Sequence, residues 1–224
     1  MIQIFSLQGF FQRKLYIYKP NSRFMNNTKE HILQTSLLLF MQKSYRDVTM
    51  KEIVEKTGMS KGAFYHYFKS KEELFKEITY LFFSMGAVDY SVFDQQSLDR
   101  FYHQYLEHIG ASFKKISQMT ASADNKQASL NFFLILFEAI SRFPEFLEIE
   151  LEQYKQEVKN WETVIHNARI NGEIHSESTD REIADLFLYC TDGVFIRFVN
   201  QEKNSSYQAE LKKSFDTVYN NVKT

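Results

Sequence analysis

Thr49 to Leu74 reads T-M-K-E-I-V-E-K-T-G-M-S-K-G-A-F-Y-H-Y-F-K-S-K-E-E-L. The stretch spells a short helix, a tight turn and a second short helix. Thr49 followed by Glu52 forms a capping box, so a helix is predicted from Met50, with Ile53 and Val54 on its apolar side. Gly58 can end that helix in a left-handed conformation at little cost. Ser60 then caps a second helix running through Phe68. In it Phe64, Tyr67 and Phe68 share one side at i, i+3 and i+4, which leaves Lys61, Tyr65 and His66 facing outward. An apolar back that docks the helix and a front of donors that can enter a major groove are what a helix-turn-helix needs.

Working outward, the flanking residues read the same way. A first helix is predicted from Thr28 to Lys43, with Ile32, Leu33, Ser36, Leu37 and Phe40 inward. Ser70 with Glu73 is another capping box, so a further helix begins at Lys71, carries Leu74, Phe75, Ile78, Leu81 and Phe82, and ends near Gly86. Ser97 to about Ser117 has Leu98, Phe101, Tyr105, Ile109 and Phe113 at helical spacing. Ala121–Gln127 is polar and reads as a loop. Ser129–Phe143 is nearly continuously apolar and is expected to be buried on most sides. Inside it, Asn131 and Glu138 either hydrogen-bond internally or meet a polar or cationic ligand. Pro144 suits the first turn of a long helix reaching Asn171, before a turn at Gly172–Ser178. Helices over Asp180–Asn200 and Tyr207–Val222 close the chain.

The 224 residues include only 2 Pro and 7 Gly, against 22 Phe and 13 Tyr. Few breakers and long 3.6-residue periods predict an all-α fold. The single cysteine, Cys190, excludes an intramolecular disulfide framework and suits a reducing cytoplasm. No apolar run is long enough to span a bilayer. The net charge of −1 hides a split. Residues 1–71 carry 12 Lys or Arg against 4 Asp or Glu, and residues 72–224 carry 15 against 24. A basic end on an acidic body fits a nucleic-acid binder with a separate helical module. The excess survives without the first residues, since 26–71 holds 8 basic and 4 acidic side chains.

These residues resemble the DNA-binding region of the TetR family of bacterial transcriptional regulators. The match runs from about Met25 to Leu81 and rests on Phe40, Thr49, Ile53, Gly58, Ser60, Lys61, Gly62, Phe64, Tyr65, Tyr67, Phe68, Lys71, Glu72 and Leu74. An S-K-G-x-[aromatic or aliphatic]-Y-x-[YH]-F run joined to S-K-E-E-L is far more specific than a lone helix-turn-helix pattern. Two positions depart from the family. Ser44 replaces a usual Gly before Tyr45, where it is expected to strain a left-handed cap slightly, and Val54 replaces a usual Ala.

The resemblance implies three parts: a flexible extension over residues 1–25, a helix-turn-helix domain over 26–71, and a helical effector-binding and dimerisation domain over 72–224. Basic residues in the extension also fit a minor-groove arm or a membrane-surface helix. Carried over position by position, the DNA-binding residues are Thr49, Lys51, Ser60, Lys61, Gly62, Ala63, Tyr65, His66 and Lys71. Gly62 lets the backbone approach the duplex, Lys61 reaches a guanine edge or a phosphate, and Tyr65, His66, Lys71, Thr49 and Lys51 hold phosphates. For each, the plain alternative is a solvated polar residue or a helix cap.

Specific binding needs two such modules at fixed spacing. The resemblance implies a homodimer built from the last two helices, for which Phe187, Cys190, Gly193, Val194, Phe198, Leu211, Phe215 and Val218 are candidates; the alternative is that they pack inside one subunit. It also implies an unknown small-molecule effector of apolar or aromatic character, with Phe101, Tyr105, Phe113, Phe133, Phe137 and Trp161 as candidate lining. An aromatic at helical spacing is equally a core residue.

His103, Glu107 and His108 do not share one helical face, so no metal is expected, and no cofactor. No phosphate loop, nucleophile elbow or metal motif supports an enzyme. The reading is a ligand-responsive, dimeric transcriptional repressor of double-stranded DNA with no membrane partner. The alternatives are an activator, a partner-regulated relative, and a helical carrier that no longer binds DNA.

Overall fold

Three successive Ser/Thr caps start three successive helices in the computed structural model of this chain. Thr49 Oγ1 accepts from Glu52 N at 3.2 Å, Ser60 Oγ from Ala63 N at 3.3 Å, and Ser70 Oγ from Glu73 N at 3.1 Å. The structure describes the backbone of residues 27–119, 125–200 and 206–224. It describes their side chains apart from 27, 82, 84–86, 113, 115–119, 125–133 and 199–200. The expectation for residues 1–25 lies outside the described residues.

Nine α-helices are present among the described residues: α1 Asn27–Gln42, α2 Met50–Thr57, α3 Lys61–Tyr67, α4 Lys71–Gly86, α5 Leu98–Met119, α6 Asn125–Arg142, α7 Pro144–Ile170, α8 Asp180–Asn200 and α9 Tyr207–Val222. A short 3-10 turn at Tyr90–Val92, absent from the sequence reading, precedes α5. The polar stretch expected as a loop over 121–127 is shorter, because α6 already begins at Asn125.

The chain divides into two compact units, and neither follows the linear order of the sequence. Of the described residues, the first unit holds 27–87, 119 and 125–149, and the second holds 88–118, 150–200 and 206–224. The first unit is thus wider than residues 26–71 and discontinuous.

In the first unit α1 packs against α2, α4 and α6. Its inner residues are those of the 3.6-residue stripe: Ile32, Leu33, Ser36, Leu37 and Phe40 are all buried. Ser36 escapes the cost of burial because its Oγ donates to Ile32 O at 2.6 Å. Aromatic rings continue the core. Phe75 lies 5.1 Å from Phe40 and 4.6 Å from Tyr45, ring centre to ring centre, and Phe143 and Phe146 extend the chain of contacts to Tyr80 and Phe83.

Helix α6 corrects an expectation. It is not buried on most sides: Leu134 and Phe137 are 43% and 63% exposed, while Ile135 and Ala139, one turn apart, are buried. One face of the helix meets α1 and α4, and that accounts for only part of an all-round apolar sequence. Glu138, the polar residue that stood out there, pairs with Arg142 one turn on at 2.5 Å. The side chain of Asn131 lies outside the described residues.

The second unit is built on Trp161. Its ring stacks on Phe187 at 4.6 Å and meets Phe101, Tyr105 and Phe215 edge-on at 4.9, 5.4 and 5.6 Å. Such pairs add about 0.5–1.5 kcal/mol each beyond area burial. Glu173, in the turn after α7, ties three segments together. Its carboxylate accepts from the backbone N–H of Leu98 and Asp99 at the start of α5 and from Tyr219 Oη on α9. Its backbone oxygen accepts from Thr224 N, beside an isolated antiparallel bridge between Ile174 and Lys223. Phe215, wholly buried against Trp161, is the clearest test of this core. Phe215→Ala should destabilise the second unit by about 3–5 kcal/mol. Urea unfolding followed by tryptophan emission reads this directly, because Trp161 is the single tryptophan.

Candidate nucleic-acid interface

Helix α3 has two unlike sides. Phe64 and the capping residue Phe68 are 0% and 1% exposed, whereas Lys61, Gly62, Ala63 and His66 are open to solvent and Tyr65 is half-buried. The chain reaches this helix through a left-handed turn at Gly58, φ +69°, whose N–H donates to Glu55 O at 3.2 Å. His31 on α1 fixes the same turn, its Nε2 lying 3.1 Å from Thr57 O. The Lys61 ammonium stands 6.0 Å from the Tyr65 ring centre and forms no ion pair among the described residues. The His66 ring lies edge-on to Tyr67 at 5.5 Å. On α2, Thr49 and Lys51 are exposed, and Lys51 makes only a loose 3.9 Å pair with Glu55. Lys61, Gly62, Ala63, Tyr65 and His66 thus share the outward side of one short helix, with Thr49 and Lys51 at the start of the helix before it.

Lys71 has a different task from the one expected of it. Its Nζ donates to Tyr45 O at 2.9 Å and Val48 O at 2.8 Å and sits 4.3 Å above the Tyr45 ring. Two of its three donors are therefore committed to the turn between α1 and α2. Burial, and then the nearby Arg142 charge, hold its pKa below the ordinary lysine value. Arg142 also lies over the Tyr45 ring, at 4.1 Å. Lys71 clamps the turn onto α4 rather than standing free for a phosphate.

Two local details also differ. Glu52 does not complete the capping box: its carboxylate pairs with Lys43 at 2.5 Å. Ser44 is not strained, because no non-glycine residue described has a positive φ. Its oxygens instead close the turn, accepting from Asp47 N, while the hydroxyl donates to Asp47 Oδ2 at 2.5 Å.

The remaining candidates fall elsewhere. Phe101, Tyr105 and Trp161 come together, as a packed core. Phe137 belongs to the first unit and is largely exposed, so it is not one of that cluster. The side chains of Phe113 and Phe133 lie outside the described residues. Among the dimer candidates, Phe187, Leu211 and Phe215 are wholly buried within the subunit and cannot form a contact surface. Their apolar stripes are the ones α8 and α9 turn toward each other and toward Trp161. Cys190, Val194, Phe198 and Val218 are partly buried against the same core, and burial pushes the Cys190 thiol pKa up. Gly193 is exposed.

The sequence reading missed the outer face of α8. Leu186, Tyr189 and Ile196 are 49%, 60% and 53% exposed, and with Gly193 they recur at intervals of three, four and three residues. That spacing makes a continuous helical seam. It was visible in the sequence but masked by the stronger apolar stripe one step round the helix. His103 and His108 serve separate surroundings: His103 Nδ1 lies 2.8 Å from Asp99 O, and His108 packs against Phe93. No group of three metal-ligating side chains forms among the described residues.

Helices throughout the described residues, with a capped helix-turn-helix followed by a second helical unit, define a class of bacterial DNA-binding regulators. Residues 32–78 match the family model described as bacterial regulatory proteins, tetR family. The chain is 30% identical over 163 residues to the uncharacterised HTH-type transcriptional regulator YerO of Bacillus subtilis, covering 72% of this chain and 52% of YerO. It is 26% identical over 200 residues to YfiR of the same organism, covering 84% of this chain and 93% of YfiR. The chain thus spans about half the length of the first relative and nearly all of the second. Among solved structures, NalD of Pseudomonas aeruginosa, the secondary repressor of the MexAB-OprM multidrug efflux pump, superposes with a TM-score of 0.62 at 15% identity, over 88% of this chain and 96% of NalD. The chain belongs to the TetR family of bacterial transcriptional regulators.

The two glycines of the motif have separable roles, which makes them informative. A Cβ on Gly62 meets nothing within 4 Å, so the fold itself does not require glycine there. Gly62→Ala should raise stability by about 0.5–1 kcal/mol through helix propensity, yet weaken DNA binding if a duplex backbone approaches that spot. Gly58→Ala, at φ +69°, should instead cost about 1–2 kcal/mol. Thermal melts and fluorescence anisotropy with labelled duplex separate the two effects.

Proposed function

We propose that this chain acts in the cytoplasm as a homodimeric transcriptional repressor that binds a palindromic operator and releases it when a small molecule occupies the second unit. The observation that carries the DNA reading is the division of α3, with Phe64 and Phe68 buried and Lys61, Ala63 and His66 bare. In the proposed complex Lys61 and Ala63 face base edges, and Tyr65, His66, Thr49 and Lys51 meet phosphates. Gly62 lets the helix backbone come close. Most of these contacts position the protein without reading sequence, so shape and deformability of the operator add to specificity.

Two modules must sit one duplex turn apart, so a symmetric dimer is required. The seam Leu186, Tyr189, Gly193 and Ile196 on α8 is the surface we assign to it, in place of the buried residues that the sequence stripe favoured. The glycine permits two α8 helices to approach closely, and Tyr189 and Leu186 supply contact area. Repression is carried from the printed role of NalD, and effector response from the family; both are proposals for this chain.

Binding to the upstream region of the chain's own gene, measured by anisotropy or gel shift, tests the reading. Affinity should fall steeply with salt, by about 0.9 units of log–log slope for each phosphate contacted. Tyr65→Ala should weaken operator and random duplex by a similar factor, about tenfold or more, since a hydrogen bond to a charged group is worth about 1.5–3 kcal/mol. An unchanged affinity would refute the docking. Separately, Leu186→Glu should convert the dimer to monomer in sedimentation velocity and lower operator affinity. A variant that remains dimeric would place the interface elsewhere.

A further inference from the structure

Helix α7 carries three polar side chains on successive turns of one face: Gln153, Glu157 and Trp161. Glu157 has no cationic partner among the described residues. Its Oε1 accepts from Tyr90 Oη at 2.9 Å and Tyr105 Oη at 3.1 Å, and neither phenol neutralises the charge. Two further carboxylates, Glu150 on the same helix and Asp192 on α8, are close enough to repel it. Neither of them forms an ion pair with a described residue. Burial, reinforced by repulsion from the neighbouring acids, raises the pKa of Glu150 and Glu157, while Asp192 is exposed on α8 and adds its charge from the rim.

No base among the described residues pairs with any of the three acids. His108, on the turn of α5 that follows Tyr105, has its pKa lowered by burial and is neutral at neutral pH. Three buried nitrogens of the second unit also lack a protein hydrogen-bond partner: Trp161 Nε1, Gln153 Nε2 and His108 Nε2. Trp161 is wholly buried, and Tyr105 links it to the acids, since the ring that donates to Glu157 also lies 5.4 Å from the indole. Unsatisfied buried donors are uncommon in folded proteins and ask for an explanation. A core that only had to be stable would hold an apolar residue in place of Glu157, because an acid drawn partly out of water with no cation beside it costs stability.

We propose that this face of the second unit is the effector site, and that the effector is an organic cation: an aromatic or apolar body bearing a quaternary or protonated nitrogen. Glu157 is the principal counter-charge, with Glu150 and Asp192 adding to the field. Tyr90 and Tyr105, whose hydroxyls donate to Glu157, border the same charge. The free donors of Trp161 and Gln153 meet an acceptor atom on the same molecule. This rests on the reading of the second unit as the effector-binding module, and it replaces a merely apolar ligand with one of defined charge.

The test uses two probes of the same size and shape and opposite charge. Full-length protein is dialysed to equilibrium against tetraphenylphosphonium and, separately, tetraphenylborate, without DNA. Tetraphenylphosphonium should bind saturably and change the emission of Trp161, and tetraphenylborate should bind at least tenfold more weakly. Glu157→Gln keeps an acceptor for both tyrosines, so helix content and affinity for random duplex should stay as in the parent. Its affinity for tetraphenylphosphonium should fall tenfold or more, and Asp192→Asn should cause a smaller fall. Equal or tighter binding of the borate, no saturable binding of the phosphonium, binding without change in Trp161 emission, or an unaltered Glu157→Gln would each overturn the proposal. Loss of DNA binding by the parent protein would refute the repressor reading alone and leave the cation site standing.

Discussion

Helix α3 spans seven residues, about two turns, which is too short to be stable alone in water. Its conformation depends on tertiary docking, through Phe64 and Phe68 in the core of the first unit. Those two rings fix the rotation of the helix about its axis. Once they are inside, Lys61, Ala63 and His66 have nowhere to go but out, and the spacing of side chains along the helix does the rest. The cap at Ser60 and the left-handed turn at Gly58 set where the helix begins and from which direction the chain arrives. DNA-binding geometry is in this sense a by-product of burying two phenylalanines.

The same economy applies to the cations around the motif. A basic surface is useful for DNA only where the charge is not already committed. Lys43, Lys29 and Lys76 are paired with Glu52, Glu77 and Glu145, and Lys69 donates to the Tyr65 carbonyl. Lys71 joins two backbone carbonyls of the α1–α2 turn, and it does so over the same Tyr45 ring that Arg142 covers. Lys51 and Lys61, by contrast, keep their heads in solvent. A count of basic residues therefore overstates the charge available to phosphates, and structure sorts the helix-bracing lysines from the exposed ones.

How much of this could be read in advance follows from the range of each interaction. The caps at Thr49, Ser60 and Ser70, the glycine at 58 and the inner stripe of α1 are local features, set by residues within one or two turns, and the sequence displays them. Lys71 was misread because its partners, Tyr45 and Val48, lie far back in the chain. Glu52 was half misread for the same reason, its carboxylate going to Lys43. The discontinuous first unit, in which α6 joins the N-terminal helices, leaves no mark on local periodicity. The seam on α8 was hidden by competition. Phe187 and Leu186 are adjacent, both apolar, and only the packed position of Trp161 decides which one turns inward.

Trp161 also frames the question of why acids persist beside an aromatic core. Tyr102, Tyr105, Phe101, Phe187 and Phe215 surround or adjoin it, and nothing in their packing requires a carboxylate. Glu157 nonetheless sits there, held by two phenols that would hydrogen-bond equally well to an uncharged acceptor. Phenol hydrogen bonds favour the ionised carboxylate, while burial and neighbouring acids disfavour it, and burial is the larger effect. The net result is a group whose charge is poorly tolerated until a positive partner arrives. In the proposed site, a ligand that supplies a positive charge would gain binding free energy by stabilising the ionised carboxylate. That gain couples the occupant to the packing of α5, α7 and α8, because Tyr105, Glu157 and Asp192 are contributed by those three helices.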